Sequence, residues 1–152
     1  MASRTPSDLT SHLGFWLRFV SNAVSGAFAR KLESKGVSVA EWVLMRELYG
    51  AEALAPSRVA DAIGMTRGAI TKLADKLIAK GLVARTADES DGRAQTLALT
   101  AKGRALIPKL AALADQNDAE FFGDLDPALI ETVKAAMKDV VRRRGLKSVP
   151  TE

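Results

Sequence analysis

The amino-acid sequence predicts a mainly α-helical protein carrying one small β-wing, and three observations lead there. Apolar residues recur at three- and four-residue steps in six separate stretches, which is the helical period. Between residues 82 and 100 that period gives way to two short extended segments around a polar turn containing Asp91-Gly92. Capping residues, glycines and prolines stand at the boundaries between stretches.

Ser7 and Asp8 are placed to cap a first helix, whose stripe Leu9, Leu13, Trp16, Leu17, Val20, Val24, Ala27 and Phe28 runs on to about Ser34. Gly36 closes it. Ser38 with Glu41 three residues later forms a capping box that opens a second helix through about Tyr49, and Gly50 ends that one. Ala53-Leu54-Ala55 reads as a short strand. Pro56 suits the first turn of a third helix terminated by Gly64, and Thr66 caps a fourth from Arg67 to Lys80 with Gly81 as its stop. Leu82 to Thr86 and Gln95 to Thr100 then form a hairpin with a charged tip. Thr100 caps a long fifth helix carrying Leu106, Leu110, Leu113 and Phe121, broken at Gly123. Asp126-Pro127 starts a sixth, with Leu129, Ile130, Val133, Met137, Val140 and Val141 apolar and Arg142, Arg143 and Arg144 in its last turn, where the helix dipole favours them in any case. Residues 148–152 are expected to fray. No internal repeat or low-complexity linker interrupts the chain.

Composition narrows the chemistry. The 152 residues are 47% apolar and 26% charged, with no cysteine and one histidine. Disulfides, thiolate metal sites and thiol nucleophiles are excluded, and His12 has no neighbouring ligand set, so neither a metal nor a cofactor is expected. No run of about 18 apolar residues occurs, nor a basic start followed by an apolar stretch, so a cytoplasmic protein with no membrane partner is expected. The phosphate loop G-x-x-x-x-G-K-[ST] and the H-E-x-x-H zinc motif are both missing, and no enzymatic function is expected.

The net charge of +4 is unevenly spread. Residues 1–55 carry +1 and residues 105–152 carry −1, whereas residues 56–104 hold nine Lys/Arg against five Asp/Glu. Positive charge gathered in one segment is what a polyanion-binding surface needs, because neutralising phosphates releases condensed counterions.

That same segment contains a helix-turn-helix pattern. Counting from Pro56, small Ala60 is fifth, Gly64 ninth and branched Ile70 fifteenth, with apolar Val59, Ile63, Met65 and Leu73 interleaved. The small residue lets two helices cross closely, the glycine permits a left-handed turn, and the branched residue fills the space between them. On a helical wheel, Ile70, Leu73, Ala74 and Leu77 cluster inward, leaving Gly68, Thr71, Lys72, Asp75, Lys76 and Ala79 outside and Arg67 at the border. Arg and Lys donate to guanine O6 and N7, Thr meets a base edge, phosphate or thymine methyl, and Gly68 permits close approach. Candidate DNA-binding residues are therefore Ser57, Arg58, Thr66, Arg67, Gly68, Thr71, Lys72 and Lys76. Asp75 reads as a partner for a nearby Arg or Lys. Arg93, beside the hairpin tip, is the candidate to enter an adjacent minor groove.

The order of elements resembles the MarR family of bacterial transcription regulators over roughly residues 9 to 145. Lys80-Gly81-Leu82-Val83-Ala84-Arg85, then Asp91-Gly92-Arg93, then Leu99-Thr100-Ala101-Lys102-Gly103 match the family's K-G-L-[VI]-x-R, D-x-R and L-T-x-x-G segments in order. Gly92 stands where many members carry a second arginine. The resemblance implies a winged helix-turn-helix plus a helical dimerisation region, with residues 1–37 and 105–147 dimerising, 38–104 binding DNA and 148–152 a tail. It implies a homodimer, a palindromic double-stranded DNA operator with half-sites ~34 Å apart, and a repressor.

Members of that family often release DNA on binding a small aromatic or phenolic effector. Here His12, Phe15, Trp16 and Phe19 share one face of the first helix, and Trp42, Met45, Arg46 and Tyr49 one face of the second. His12, Trp16, Phe19, Trp42, Arg46 and Tyr49 are the candidate lining of such a cleft. Two other readings stay open on the residues: a winged-helix scaffold for proteins without sequence-specific DNA reading, and a ligand-independent DNA-binding dimer.

Overall fold

The computed structural model describes residues 4–87 and 94–152. Six α-helices and one two-stranded antiparallel sheet follow in the order α1 (Leu13–Glu33), α2 (Val39–Tyr49), α3 (Pro56–Ile63), α4 (Arg67–Ala79), β1 (Val83–Ala87), β2 (Gln95–Leu99), α5 (Ala101–Phe122) and α6 (Pro127–Arg144). The expected mainly α fold with a small β-wing is what forms. The hairpin pairs Val83 with Leu99 through Ala87 with Gln95.

Local chemistry sets most boundaries. Ser38 accepts from the Glu41 amide while the Glu41 carboxylate accepts from the Ser38 amide, closing the expected capping box. Thr66 caps α4 through the Ala69 amide and Thr100 caps α5 through the Gly103 amide. Gly64 takes φ +76°, the left-handed turn between α3 and α4.

Two expectations about element ends need correction. Ser7 and Asp8 do not cap α1: Leu9–Ser11 form a separate 3-10 turn, His12 is extended, and α1 starts at Leu13. Trp16 Nε1 donates to the Thr10 carbonyl across this break, giving the bent segment an anchor. The Ala53–Ala55 strand contracts to one bridge, in which Leu54 and Leu97 exchange both main-chain hydrogen bonds, at 2.9 and 2.8 Å.

One hydrophobic core joins Leu32 and Val37 to Leu44, Met45 and Leu48 of α2, Val59, Ala60 and Ile63 of α3, Ile70, Ala74 and Leu77 of α4, the wing base, and Ile107 and Leu110 of α5. It crosses the expected divisions at 37/38 and 104/105, so the ends of α1 and α5 are built into the same packing unit as the helix-turn-helix. α5 continues through Pro108, with Ile107 and Leu110 buried on either side. By contrast α6 buries no residue.

The chain end also departs from expectation. Residues 148–152 are not a frayed tail: the Val149 amide donates to the Ile63 carbonyl at 2.9 Å and Ser148 Oγ to the Gly64 carbonyl at 3.3 Å. Pro150 and Glu152 reach the groove beside Trp42. The Ile63 and Gly64 carbonyls at the α3 terminus have no partner within the helix, which is why a segment with no apolar periodicity still finds a seat there.

Candidate nucleic-acid interface

The Ala60, Gly64 and Ile70 positions perform the roles their spacing suggests. Ala60 and Ile70 are buried between α3 and α4, and the Gly64 and Met65 amides both close on the Ala60 carbonyl. This packing fixes the inner face of α4 and leaves the other in solvent. Arg67, Gly68, Thr71, Lys72, Asp75, Lys76 and Ala79 are exposed, with Ile70, Ala74 and Leu77 buried opposite. A Cβ built on Gly68 would meet nothing within 4 Å, so this position offers an unobstructed approach to the helix backbone.

Hydrogen bonds within the helix decide what each side chain can offer. Thr71 Oγ1 donates to the Arg67 carbonyl at 3.0 Å, leaving its lone pairs and methyl to face outward. Thr66 Oγ1 accepts from Ala69 at 3.1 Å and keeps its hydroxyl hydrogen for an outside acceptor. Pro56 is the first residue of α3, whose cap Ala55 supplies no side-chain acceptor. Half-buried Ser57 therefore keeps an open amide at this helix N-terminus, and exposed Arg58, whose own amide donates to the Ala55 carbonyl at 3.0 Å, places its guanidinium beside it.

Among the described residues no ion pair engages Arg58, Arg67, Lys72 or Lys76. Other cations of the basic segment are internal ties. Arg85 pairs with Asp75 at 2.9 Å, as expected for that aspartate. Lys80 bonds both oxygens of Glu41 and the Gly36 carbonyl, and Arg104 donates to the Tyr49 and Ala51 carbonyls. Burial pushes the Glu41 carboxyl up, but the hydrogen bonds from Lys80 and from Ser38 outweigh it and hold it below the usual carboxylate value. Counting charge along the sequence misses this sorting, because it depends on which cations find carboxylates and carbonyls after folding. The free cations that remain lie on α3 and α4. Arg93 and the Asp91-Gly92 turn lie outside the described residues.

The six candidate effector residues are not brought into one cleft. Trp16 lines a groove with Leu13, Leu17, Val20, Phe122 and Val133. Trp42 lines another with Val24, Phe28, Val43, Asn117 and Pro150. Trp16 and Phe28 are twelve helical residues apart, about 18 Å along α1, too far for one small ring to span. His12 and Phe19 are exposed at the Trp16 end. Arg46 and Arg104 sit over the Tyr49 ring at 5.5 and 5.1 Å, so Arg46 and Tyr49 belong to a packed cation–ring stack. The expected faces also change: His12 lies before α1, Met45 of α2 is buried while Arg46 is exposed, and Trp16 and Trp42 open onto two adjoining grooves that meet at Val24 and Ser25.

Among the described residues there is no cluster able to hold a metal ion and no helix long and apolar enough to cross a membrane.

Comparison with known proteins places this geometry. A family model described as MarR family matches residues 35–94, from just before α2 through β1 and up to the start of β2. HTH-type transcriptional repressor Rv2887 of Mycobacterium tuberculosis is 31% identical over 113 residues, covering 74% of this chain and 81% of the relative. The chain belongs to the MarR family.

As a MarR-family protein it is a DNA-binding regulator of transcription with a winged helix-turn-helix. TtmR, an HTH-type transcriptional regulator of Methylorubrum extorquens, is 25% identical over 147 residues, covering 95% of this chain and 75% of its own length. Among solved structures, CouR from Rhodococcus jostii RHA1 bound to p-coumaroyl-CoA aligns with a TM-score of 0.77 at 26% identity, over 89% of this chain and 95% of that one. A mutant Escherichia coli MarR complexed with operator DNA shares the fold, with a TM-score of 0.77 at 22% identity over 89% of this chain and 99% of that one.

Proposed function

We propose that this MarR-family chain works as a homodimeric repressor that reads a palindromic operator through the exposed face of α4. The observation that carries the reading is the alignment of Arg67, Gly68, Thr71, Lys72 and Lys76 along one solvent face of a helix whose opposite face is locked into the core. Arg67 and Lys72 donate to base edges in the major groove, and Thr71 presents its methyl and lone pairs. Ser57, Arg58 and Thr66 hold phosphates at the two helix N-termini, Lys76 takes the flanking backbone, and Arg93 reaches the minor groove from the wing. Residues 38–104 supply this reader, and the N-terminal residues 1–37 with residues 105–147 supply the dimer contact. Repression agrees with the name of the 31%-identical relative.

Selection of bound duplexes from a random-sequence pool tests the reading. The expected product is a two-fold symmetric site with half-sites centred ~34 Å apart. Replacing Arg67 or Lys72 by Ala should cost about 1–3 kcal/mol on that site and relax selection at one base position per half-site. No enrichment, or enrichment unchanged by either substitution, refutes it and favours a protein-binding scaffold.

The effector proposed is a small aromatic acid or its thioester, a class supported by the p-coumaroyl-CoA in the CouR structure. Of the candidate lining residues, Trp42 borders the better-placed cavity, a groove of about 360 Å³ also lined by Phe28 and Asn117, within the size range of small-ligand sites. Such a ligand must bind the DNA-incompetent state better, so it should raise the melting temperature while weakening operator binding. An aromatic panel that shifts neither leaves a ligand-independent repressor.

A further inference from the structure

We propose that the C-terminal segment, residues 146–152, is a docked extension of the DNA-binding surface, and that Lys147 contacts the DNA backbone beside the N-terminus of α4. The inference rests on the DNA-reading role of α4 stated above and adds a contact from outside the winged unit.

The docking is made by one main-chain and one side-chain hydrogen bond. The Val149 amide reaches the Ile63 carbonyl at 2.9 Å and Ser148 Oγ reaches the Gly64 carbonyl at 3.3 Å. A Cβ on Gly64 would stand 2.6 Å from the Lys147 carbonyl oxygen and 2.8 Å from Ser148 Cα. Gly64 is thus needed twice, once for its left-handed turn and once as the seat of this segment. Gly64 lies two residues before Thr66, so with 3.8 Å between successive Cα atoms Lys147 is held within about 12 Å of the α4 cap.

The charge pattern of the segment fits a phosphate. Arg142 and Arg143 are both tied to Asp139. Lys147 is exposed and forms no ion pair with a described residue, and its flexible four-carbon stem ends in a compact point charge. Ser148 donates its hydroxyl to the Gly64 carbonyl, whereas the neighbouring Lys147 is left exposed to solvent. The α4 N-terminus it flanks carries the open amides of Arg67 and Gly68, the Ala69 amide being satisfied by Thr66. Lys147 therefore extends the cation row of Arg58 and Arg67 around the turn.

Two measurements on the full chain test this. Hydrogen exchange without DNA should show the Val149 amide slowed at least tenfold relative to an unstructured peptide, and exchange at the unstructured rate overturns the docking. Salt titration of binding to the best duplex from the random pool should show the slope of log K against log salt falling by about one for Lys147→Ala. Val149→Pro keeps every charge but removes the docking N–H, and its slope should fall by a similar amount. If wild type binds and both variants keep its slope, this proposal alone is lost. A wild-type chain that binds no duplex defeats the proposed function and this extension together.

Discussion

Lys80 belongs to the basic third of the sequence, yet its ammonium is directed inward. Its three donors are taken by the two oxygens of Glu41 and the Gly36 carbonyl, so it joins the start of α2 to the end of α4. The Glu41 side chain is only 5% exposed, and a carboxylate so buried is tolerable only with such partners. Lys80→Met should therefore destabilise the fold by about 1–3 kcal/mol at neutral pH, less than for a wholly buried pair because Lys80 remains partly exposed. The pH dependence has a definite sign. With Lys80 present the folded Glu41 value is lowered, so its contribution is complete above the ordinary carboxylate range and fades as pH falls through the lowered value. In the variant, burial acts without that offset and favours the protonated acid. Urea unfolding should show the gap between the two proteins narrowing from pH 7 to pH 3, and a constant gap would contradict the assignment.

The wing base shows how elements lock together. Thr100 caps α5 through the Gly103 amide and donates its hydroxyl to the Gly81 carbonyl at 2.7 Å, while the Thr100 amide donates to the Leu82 carbonyl at 3.1 Å. A Cβ on Gly103 would overlap that same Leu82 carbonyl oxygen, which is backbone held by the hairpin. Gly103→Ala should cost about 1–3 kcal/mol by thermal or chemical unfolding, despite the gain in helix propensity that alanine normally brings. An unchanged or raised melting temperature would show that the junction yields. Much of this was legible beforehand, since the Ser38–Glu41 box, the Thr66 and Thr100 caps, the Gly64 turn and the buried face of α4 all follow from local hydrogen-bonding chemistry and period. Where the reading failed, the deciding contact was non-local. The start of α1 depends on Trp16 reaching back to Thr10, the reduced Ala53–Ala55 strand on Leu97, the docked end on the Ile63 and Gly64 carbonyls, and the division of the aromatic residues on which helices line each groove.

At the scale of the whole molecule, the apolar surface is concentrated at the two chain ends. Leu129, Val133 and Val140 of α6 are each 48% exposed, and Leu13 and Phe19 of α1 are 68% and 63% exposed. An isolated helix of this length is marginal in water, and α6 buries no residue within its own chain, so it needs a surface to cover it. Val133 faces a groove shared with Leu13, Trp16, Leu17, Val20 and Phe122, which joins the two exposed faces into one patch. A second copy can present the same patch about a two-fold axis, the symmetry that a palindromic site requires. Val133→Glu places a charge at the centre of that patch, where it must be desolvated for the dimer to form. Sedimentation at micromolar concentration should then shift from dimer to monomer, with far-UV circular dichroism losing helix from the uncovered α6. A monomer engages one half-site, so the slope of log K against log salt should fall to about half that of the parent protein. A variant that stays dimeric with an unchanged slope would move the subunit contact away from α1 and α6.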